Sequence, residues 1–457
     1  HTDVLHTDVL HTDVLHTDVL HTDVLHTDVL HTDVLHTDVL HTDVLHTSRF
    51  WHCRSQRWCE ELRRDDGKRG FGWCWSGVGW CWSGVGWCQS GQQLGVKAVV
   101  LVGGEGTRLR PLTDTRPKQL LPIVGVPMIE RVVEGLAGSS VEEVVLSLGY
   151  RPDAFLGRYG RGDVHGVPVR CVVEPEPLDT GGAIAFAVRQ AGIDSTFVAV
   201  NGDVLSDLVL SDLVATHRRC GGQATLALVT VRDPSRFGVV VTASDGRVEA
   251  FVEKPPDGRA PASTVNAGCY ILEPTVLDRV PSGRRVSVER QIFPELVDEG
   301  VLFARVGSEY WLDTGTPEAY LQAHQDLLQG RRGPLPAPGA TCRGAGLWAC
   351  GEVHVGGAVT GGSFVGAGST VAYGAEVIAS SLGAQVTVEA GASLQESVLL
   401  DGARVGAGAR VGGSIVGAGA VIGAGAQVAA ASVIGDGATV PAGDVLYGAR
   451  VPAALVR

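Results

Sequence analysis

The stretch "LVGGEGTRLRPLTDTRPKQLLP", residues 101–122, decides the reading of this chain. An apolar strand runs straight into Gly103, Gly104, Gly106 and Thr107, then into Arg108, and further on into the pair Pro117-Lys118. Backbone N–H groups left exposed in a glycine-rich loop after a strand form an anion cradle, and glycine admits a phosphate closely because it has no Cβ. The loop is not GxGxxG and lacks the GK[ST] ending of a P-loop. Its specificity lies in the whole unit GGxGTRLxPxTxxxPKxLxP.

Upstream, the first 45 residues are nine copies of HTDVL. A five-residue period suits neither helix nor strand packing, and no common solenoid unit is so short. A seven-residue repeat follows, GWCWSGV at 72–78 and 79–85, decaying into GWCQSGQ at 86–92. Residues 1–95 are therefore read as a disordered low-complexity leader, translated from repetitive upstream DNA. The native domain would begin at Val96, which a GTG codon would make the initiator. A His-rich metal-binding segment or a Cys/Trp disulfide module is the alternative. The leader has no basic region followed by an apolar stretch, so it is not read as a signal peptide. No run of 18 apolar residues occurs, so no membrane span is expected.

Residues 96–457 carry 30 basic against 37 acidic side chains, a net charge of −7. A mildly acidic body argues against a nucleic-acid partner. The five cysteines of this part, Cys171, Cys220, Cys269, Cys342 and Cys350, include no CxxC pair, which suits a reducing cytoplasm.

From 97 to about 230, apolar strands alternate with amphipathic helices. KAVVLVGG, EEVVLSLG, VPVRCVVEPEP, FVAVNGDV and ATLALVTV read as strands. PMIERVVEGLAG, GGAIAFAVRQAG and LSDLVATHRRCGG read as helices, the first with a stripe of Met128, Ile129, Val132, Val133 and Leu136 and a stop at Gly138. This predicts an α/β, Rossmann-like domain with a mostly parallel sheet over 96–330. After 236 a hairpin turned at Asp245-Gly246 is expected, then a strand NAGCYIL, a helix SVERQIFPELVDEG, a strand LFARVG and a closing helix TPEAYLQAHQDLLQG. Residues 331–340 are a Pro/Gly linker.

In 341–457, apolar residues fall at 365, 371, 377, 382, 388, 394, 399, 405, 411, 416, 422 and 428, a spacing of six, six and five. Val433 or Ile434, and then Val440, continue it. A 17-residue coil with three short strands and inward apolar residues is a β-helix. Its Gly/Ala-rich faces point to association, so a homo-oligomer is expected.

The signature unit resembles that of the sugar-1-phosphate nucleotidyltransferases over 97 to about 328, and β-helix tails, left-handed in that family, are common there. The resemblance implies transfer of a nucleoside monophosphate from an NTP to a sugar 1-phosphate, with release of pyrophosphate and no covalent enzyme intermediate. Catalysis is then the positioning of two mutually repelling anions and stabilisation of phosphoryl charge. By resemblance, Arg108 and Lys118 face the triphosphate, while Gly103, Gly104, Gly106, Thr107, Gly181 and Gly202 belong to the substrate-binding set. Asp203 in VNGDV and Asp313 in YWLDTGTP resemble the metal-binding aspartates, with Mg²⁺ as the expected cofactor. Asp203 is also expected at the carboxyl end of a strand, where open α/β sheets bind ligands. Thr316, before Pro317, is a better helix cap than Asp313. Lys254 in FVEKP looks like the sugar-phosphate lysine, Glu253 and Asn266 like residues that bond sugar hydroxyls, and Gly238 like a glycine that approaches the sugar.

The loop EPEPLDTGGAI occupies the nucleobase position, with Asp179 where the family usually has Gly. Glu174 is a candidate base reader, since a carboxylate accepts from the two adjacent donors of guanine; solvent exposure without a partner is the alternative. NAGCYILEPTVLDRVPSGRRVSVERQIFPELVDEG with YWLDTGTPEAY looks most like the bacterial mannose-1-phosphate guanylyltransferases, which implies GTP and mannose 1-phosphate. The alternatives are glucose-1-phosphate thymidylyl-, uridylyl- or adenylyltransferases, or a regulatory paralogue that binds nucleotide sugar without turning it over. An acyltransferase β-helix would want a catalytic His, and the tail offers only His354.

Overall fold

The computed structural model describes Trp73–Ser76, Gly79–Trp82 and residues 95–453 except 138, 140, 161, 257, 333–336 and 345. The chain forms two compact units, His1–Gly91 and Gln92–Arg457. In the first, Trp73–Ser76 and Gly79–Trp82 pair antiparallel. The remaining expectations for the leader, and the helix stop at Gly138, lie outside the described residues.

Among the described residues of the second unit ahead of the tail, three two-residue strands, Pro122–Ile123, Val126–Pro127 and Asp163–Val164, add short hairpin pairings. Eleven further strands and six α-helices position the site. The strands are β1 (Val96–Val102), β2 (Val141–Leu148), β3 (Val167–Val173), β4 (Phe197–Asn201), β5 (Val204–Ser206), β6 (Ala224–Thr230), β7 (Gly238–Thr242), β8 (Val248–Glu253), β9 (Thr264–Leu272), β10 (Leu302–Gly307) and β11 (Trp311–Asp313). The helices are α1 (Met128–Ala137), α2 (Pro152–Tyr159), α3 (Asp179–Ala191), α4 (Leu210–Cys220), α5 (Phe293–Asp298) and α6 (Pro317–Leu328). The central sheet runs β10-β6-β9-β4-β1-β2-β3, and the β7–β8 hairpin joins β9 at Val239↔Val265. The strands β4, β1, β2 and β3 are mutually parallel; β9 is antiparallel to both β4 and β6. The sheet is thus mixed, as NAGCYIL runs against its neighbours.

Both faces of the sheet are covered, which is why its strands read as unbroken apolar runs. On one face Ala98, Val100 and Val102 meet Ile129, Val132, Val133 and Leu136 of α1, Phe155 of α2 and Leu213 of α4. On the other, Val99 and Phe197 meet Ile184 and Val188 of α3 and Phe293 and Leu296 of α5. Helix α2 is absent from the sequence reading; Arg151, in a left-handed conformation, precedes Pro152 at its first turn. The segment expected as one helix over SVERQIFPELVDEG is π-helical over Val288–Ile292, with Phe293 N–H donating to Val288 O, before α5 begins. Pro294 lacks the N–H that an unbroken α-helix would need at that turn.

After an antiparallel first pair, Ala340–Cys342 with Leu347–Cys350, the tail is a three-sided stack of parallel strands. Val365, Val371 and Val377 of one coil lie under Leu382, Val388 and Leu394 of the next, paired with an offset of 17 residues, as Val371↔Val388 and Val377↔Leu394 show. All twelve inward positions of the apolar period are buried, and Ile434 and Val440 continue them. The later coil adds one residue, at Ala430-Ala431, where both backbones have positive φ. A second period escaped the sequence reading. Ser363, Ser380, Ser397, Ser414 and Ser432 form a buried ladder, in which Ser380 N donates to Ser363 Oγ (3.1 Å), Ser397 N to Ser380 Oγ (3.1 Å) and Ser414 N to Ser397 Oγ (3.3 Å).

One side of the stack alternates inward Leu399, Val416 and Ile434 with outward Val398, Ile415 and Val433. The outward set, with Phe364, packs against Leu109, Leu112 and Leu121 of the signature stretch and against Tyr320 and Leu327 of α6. This apolar face is covered by the chain's own α/β part and is not available for association. Between 331 and 340, Arg332 is buried and bonds Asp207 Oδ1 (2.8 Å), and Ala337 joins the same apolar cluster.

Candidate active site

Strand β1 ends at Val102, and of the glycines that follow, Gly106 is the one whose neighbours leave no room for a side chain. Gly106 has φ 65°, and a Cβ there would lie 2.9 Å from Lys118 Cβ and 3.0 Å from Thr113 Cγ2. A Cβ on Gly104 would sit 3.7 Å from Lys118 Cε. Gly103 lies against Gly149 at the end of β2, whose own Cβ would come within 2.9 Å of Gly103 Cα. The loop therefore closes on the stem of Lys118, and a 3₁₀ turn over Thr107–Leu109 buries Leu109 while exposing Arg108.

A tight turn after β4 carries Gly202, whose N–H donates to Leu101 O (3.0 Å), and then Asp203. Strand β5 pairs with β11 in the register Val204↔Asp313, which brings Asp203 and Asp313 to adjoining strand ends. Lys118 Nζ forms an ion pair with Asp203 Oδ2, both side chains largely buried. Arg108 Nη2 lies 4.0 Å from Asp313 Oδ2. Burial, and secondly the charge of Asp203, push the Asp313 carboxyl up; the Gly315 N–H bond, Arg108 and Lys118 oppose this. A cation between the two carboxylates would relieve that repulsion. Two hard oxygen donors, with phosphate oxygens and water completing the shell, are what Mg²⁺ takes in nucleotide sites. Among the described residues no cluster of three or more His, Cys, Asp or Glu offers an all-protein cage.

Two residues that the sequence reading passed over complete this half. Thr314, fully buried, donates from N (3.2 Å) and Oγ1 (2.7 Å) to Asp203 O and fixes the turn that carries Asp203. Gly315 donates to Asp313 Oδ1 (2.8 Å), and a Cβ there would overlap Arg108 Nη2. Thr316 caps α6, with Oγ1 accepting from Ala319 N (3.2 Å), so Asp313 has no capping role.

The other half adjoins through the NAG motif. Gly268, at φ 73°, packs so closely on Asn201 that a Cβ would lie 2.6 Å from Asn201 Nδ2. This is a bulge in β9, with the pairing to β6 shifting between Leu226 and Leu228. Asn266 closes it: Oδ1 accepts from Gly268 N (2.9 Å) and Nδ2 donates to Tyr270 OH (2.8 Å). One amide hydrogen and further oxygen lone pairs of Asn266 remain. Trp311, also missed in the sequence, donates from Nε1 to Ala267 O (2.9 Å) and so ties this bulge to the strand that carries Asp313. Glu253 ends β8 and Lys254 follows it, with Lys254 Nζ 2.7 Å from Glu253 Oε1 and the lysine more than half exposed. Gly238 faces them across the hairpin; a Cβ there would lie 2.9 Å from Glu253 Oε2.

Glu174 is buried, with Oε1 accepting from Ser147 Oγ (3.0 Å) and Oε2 from Leu178 N (3.2 Å). It is not an unpaired carboxylate in solvent. Asp179 has φ 60°, so it takes up the left-handed conformation that a glycine would adopt, and its Oδ1 accepts from Thr180 N (2.8 Å). Asp is among the few side chains that tolerate this region. The departure at 179 therefore keeps the loop's backbone shape. The Gly181 N–H donates to Val286 O (2.8 Å), so it packs α3 on the 284–288 segment.

Residues 97–330 match the family model described as Nucleotidyl transferase, and 359–454 the one described as GMPPB C-terminal domain. The mannose-1-phosphate guanylyltransferase of Mycobacterium tuberculosis (strain ATCC 25618 / H37Rv) is 42% identical over 285 residues, 62% of this chain and 76% of that one. The probable mannose-1-phosphate guanylyltransferase 2 of Arabidopsis thaliana is 39% identical over 255 residues, covering 54% and 69%. A solved structure, HddC from Yersinia pseudotuberculosis complexed with GMP-PN, is 30% identical at a TM-score of 0.45, covering 50% of this chain and 99% of that one. The match spans half of the chain and runs from the glycine loop through Asp203 to Asp313 and α6: this chain belongs to the nucleotidyl transferase family.

Proposed function

We propose that this protein transfers GMP from GTP to mannose 1-phosphate, forming GDP-mannose and releasing pyrophosphate. The observation that carries this is the convergence of Arg108, Lys118, Asp203 and Asp313 beside the glycine loop, in a chain 42% identical over 285 residues to a mannose-1-phosphate guanylyltransferase. A sugar-phosphate oxygen attacks the α-phosphorus; the new P–O bond forms as the bond to the bridging oxygen of pyrophosphate breaks. The N–H groups of Gly103, Gly104, Gly106 and Thr107 hold the triphosphate. Arg108 and Lys118 balance the charge on the departing pyrophosphate. Asp203 and Asp313 would hold Mg²⁺, which when bound draws phosphate charge to itself. Lys254 holds the sugar phosphate, and Glu253 and Asn266 bond its hydroxyls. Glu174 shapes the base loop through Ser147 and Leu178, and a second lone pair on each oxygen can accept from guanine N1–H and N2–H. The five cysteines that are unpaired among the described residues fit a cytoplasmic protein, and self-association would use β-helix faces other than the one covered by the signature stretch.

The test is pyrophosphate release with Mg²⁺, crossing GTP, dTTP, UTP and ATP against mannose 1-phosphate and glucose 1-phosphate. A maximum for GTP with mannose 1-phosphate is expected. A maximum at another pair keeps the reaction class and discards the reading of Glu174. Absence of release from folded protein favours a nucleotide-sugar-binding regulatory paralogue. In the same assay Asp203→Asn should abolish Mg²⁺-dependent turnover while the melting temperature changes little; equal loss of both would count against Asp203 as a metal ligand.

A further inference from the structure

We propose that Asp436, in the β-helix, is a positioning residue for nucleotidyl transfer, acting on Lys118 through the Thr115–Pro117 segment. This rests on the reading of Lys118 given above. Asp436 Oδ2 accepts from Thr115 Oγ1 (2.6 Å) and from Arg116 Nη2 (2.7 Å). Its Oδ1 accepts from Ala418 N (2.8 Å), one coil earlier, so the carboxylate is anchored to the stack and cannot follow the loop if the loop drifts. Such short, charge-assisted bonds are the stronger class of hydrogen bond.

The next residue is Pro117, at φ −58°, and its ring fixes that dihedral. Lys118 follows directly and sits on Asp203. A shift at Arg116 is therefore passed to the Lys118 stem with little slack. The opposite side of the segment is gripped by Arg151, which donates to Asp114 O (2.6 Å) and Thr115 O (3.2 Å), and by Tyr150, which donates to Thr113 O (3.2 Å). The segment is thus clamped between the end of β2 and the β-helix.

The stack contains its own control. Asp401 occupies the position of Asp436 two coils earlier and caps Ala384 N in the same way (2.9 Å), as Asp436 caps Ala418 N. Among the described residues Asp401 makes no hydrogen bond to the Thr115–Lys118 segment. Capping the coil does not require the loop contact, so the bonds from Asp436 to Thr115 and Arg116 are additional to the needs of the stack.

The experiment compares Asp436→Asn with Asp401→Asn in the full chain. Asn keeps the volume and an oxygen for the coil cap, but it removes the negative charge that faces Arg116. Misplacement of a catalytic group by an ångström costs up to about 100-fold, and a partial release should lower kcat about 10-fold with KM changed about twofold or less. Hydrogen exchange of the amides over 112–118 should quicken in Asp436→Asn and not in Asp401→Asn, and Asp436→Glu should restore part of kcat. Identical exchange and kcat in the two Asn variants would overturn the proposal, as would a kcat loss that only tracks the folded fraction. If the unmodified chain releases pyrophosphate from no substrate pair, the functional reading fails, and the exchange comparison still decides whether Asp436 holds the loop.

Discussion

Gly315 is what lets Arg108 stand beside Asp313. A Cβ on Gly315 would overlap the Arg108 guanidinium and lie 2.8 Å from Asp313 Oδ1. Gly315→Ala should therefore lower kcat/KM about 100-fold, the scale for displacing one charge-stabilising donor. The melting temperature should change little, since Arg108 is more than half exposed. Kinetics and melting on the same preparation check this; a variant with full activity would show that Arg108 works from elsewhere.

His324 makes stability depend on pH. It is fully buried on α6, its Nδ1 accepting from Val124 N (3.4 Å) and its Nε2 donating to Pro122 O (3.1 Å), which requires the neutral ring. Burial pushes its pKa down to about 3. The folded value lies below the unfolded one of about 6.5, so the stabilisation is complete above about pH 6.5 and is lost as pH falls toward 3. Each pH unit in that window removes about 1.4 kcal/mol. Between pH 7 and 5, His324→Gln should lose about 2 kcal/mol less than the unmodified chain in urea unfolding. Equal slopes would mean that the buried ring is not what responds.

The serine ladder should behave as a set of buried acceptors. Ser397→Ala leaves the Ser414 N–H without its partner and should cost about 1–3 kcal/mol. Ser393→Ala, on the neighbouring strand outside the ladder, is the comparison, and its unfolding midpoint should hardly move.

At Asp179 the backbone is the quantity to test. Asp179→Ala and Asp179→Gly both lose the bond to Thr180 N. Both must occupy φ 60°, which is strained for Ala and free for Gly, so Ala should be less stable than Gly by about 1 kcal/mol. Equal melting temperatures would show that the loop around Asp179 relaxes when the carboxylate is removed.

Periodicity and motif carried most of the fold into the sequence. The inward valines of the tail and the buried stripe of α1 were legible because burial repeats with the geometry of the element. The serine ladder has the same period and was visible in principle, but polar residues in a Gly/Ala-rich tail do not announce burial. Thr314, Gly315 and Trp311 act through contacts with Asp203 O, Arg108 and Ala267 O, residues distant in sequence. Pairs of that kind become apparent only once β5 lies against β11. Whether Val433 or Ile434 continues the apolar period depends on a one-residue insertion: Ile434 points into the prism, and Val433 outward to the signature loop.

The seam between the signature stretch and the tail also sets an order of events during synthesis. Arg116 leaves the ribosome 320 residues ahead of Asp436, and Leu109, Leu112 and Leu121 precede Val398, Ile415 and Val433 by a comparable interval. At about 5–20 residues per second, this leaves the underside of the loop uncovered for roughly 15–60 s of translation. Stalled nascent chains that end before residue 398 should be cleaved by protease within 107–121, and chains extended past the last coil should resist. The polypeptide thus keeps its cation-bearing loop uncovered until the coils that carry Val398 to Asp436 have been made, and a nonsense mutation ahead of residue 398 should leave the loop exposed in a part of the chain already translated in full.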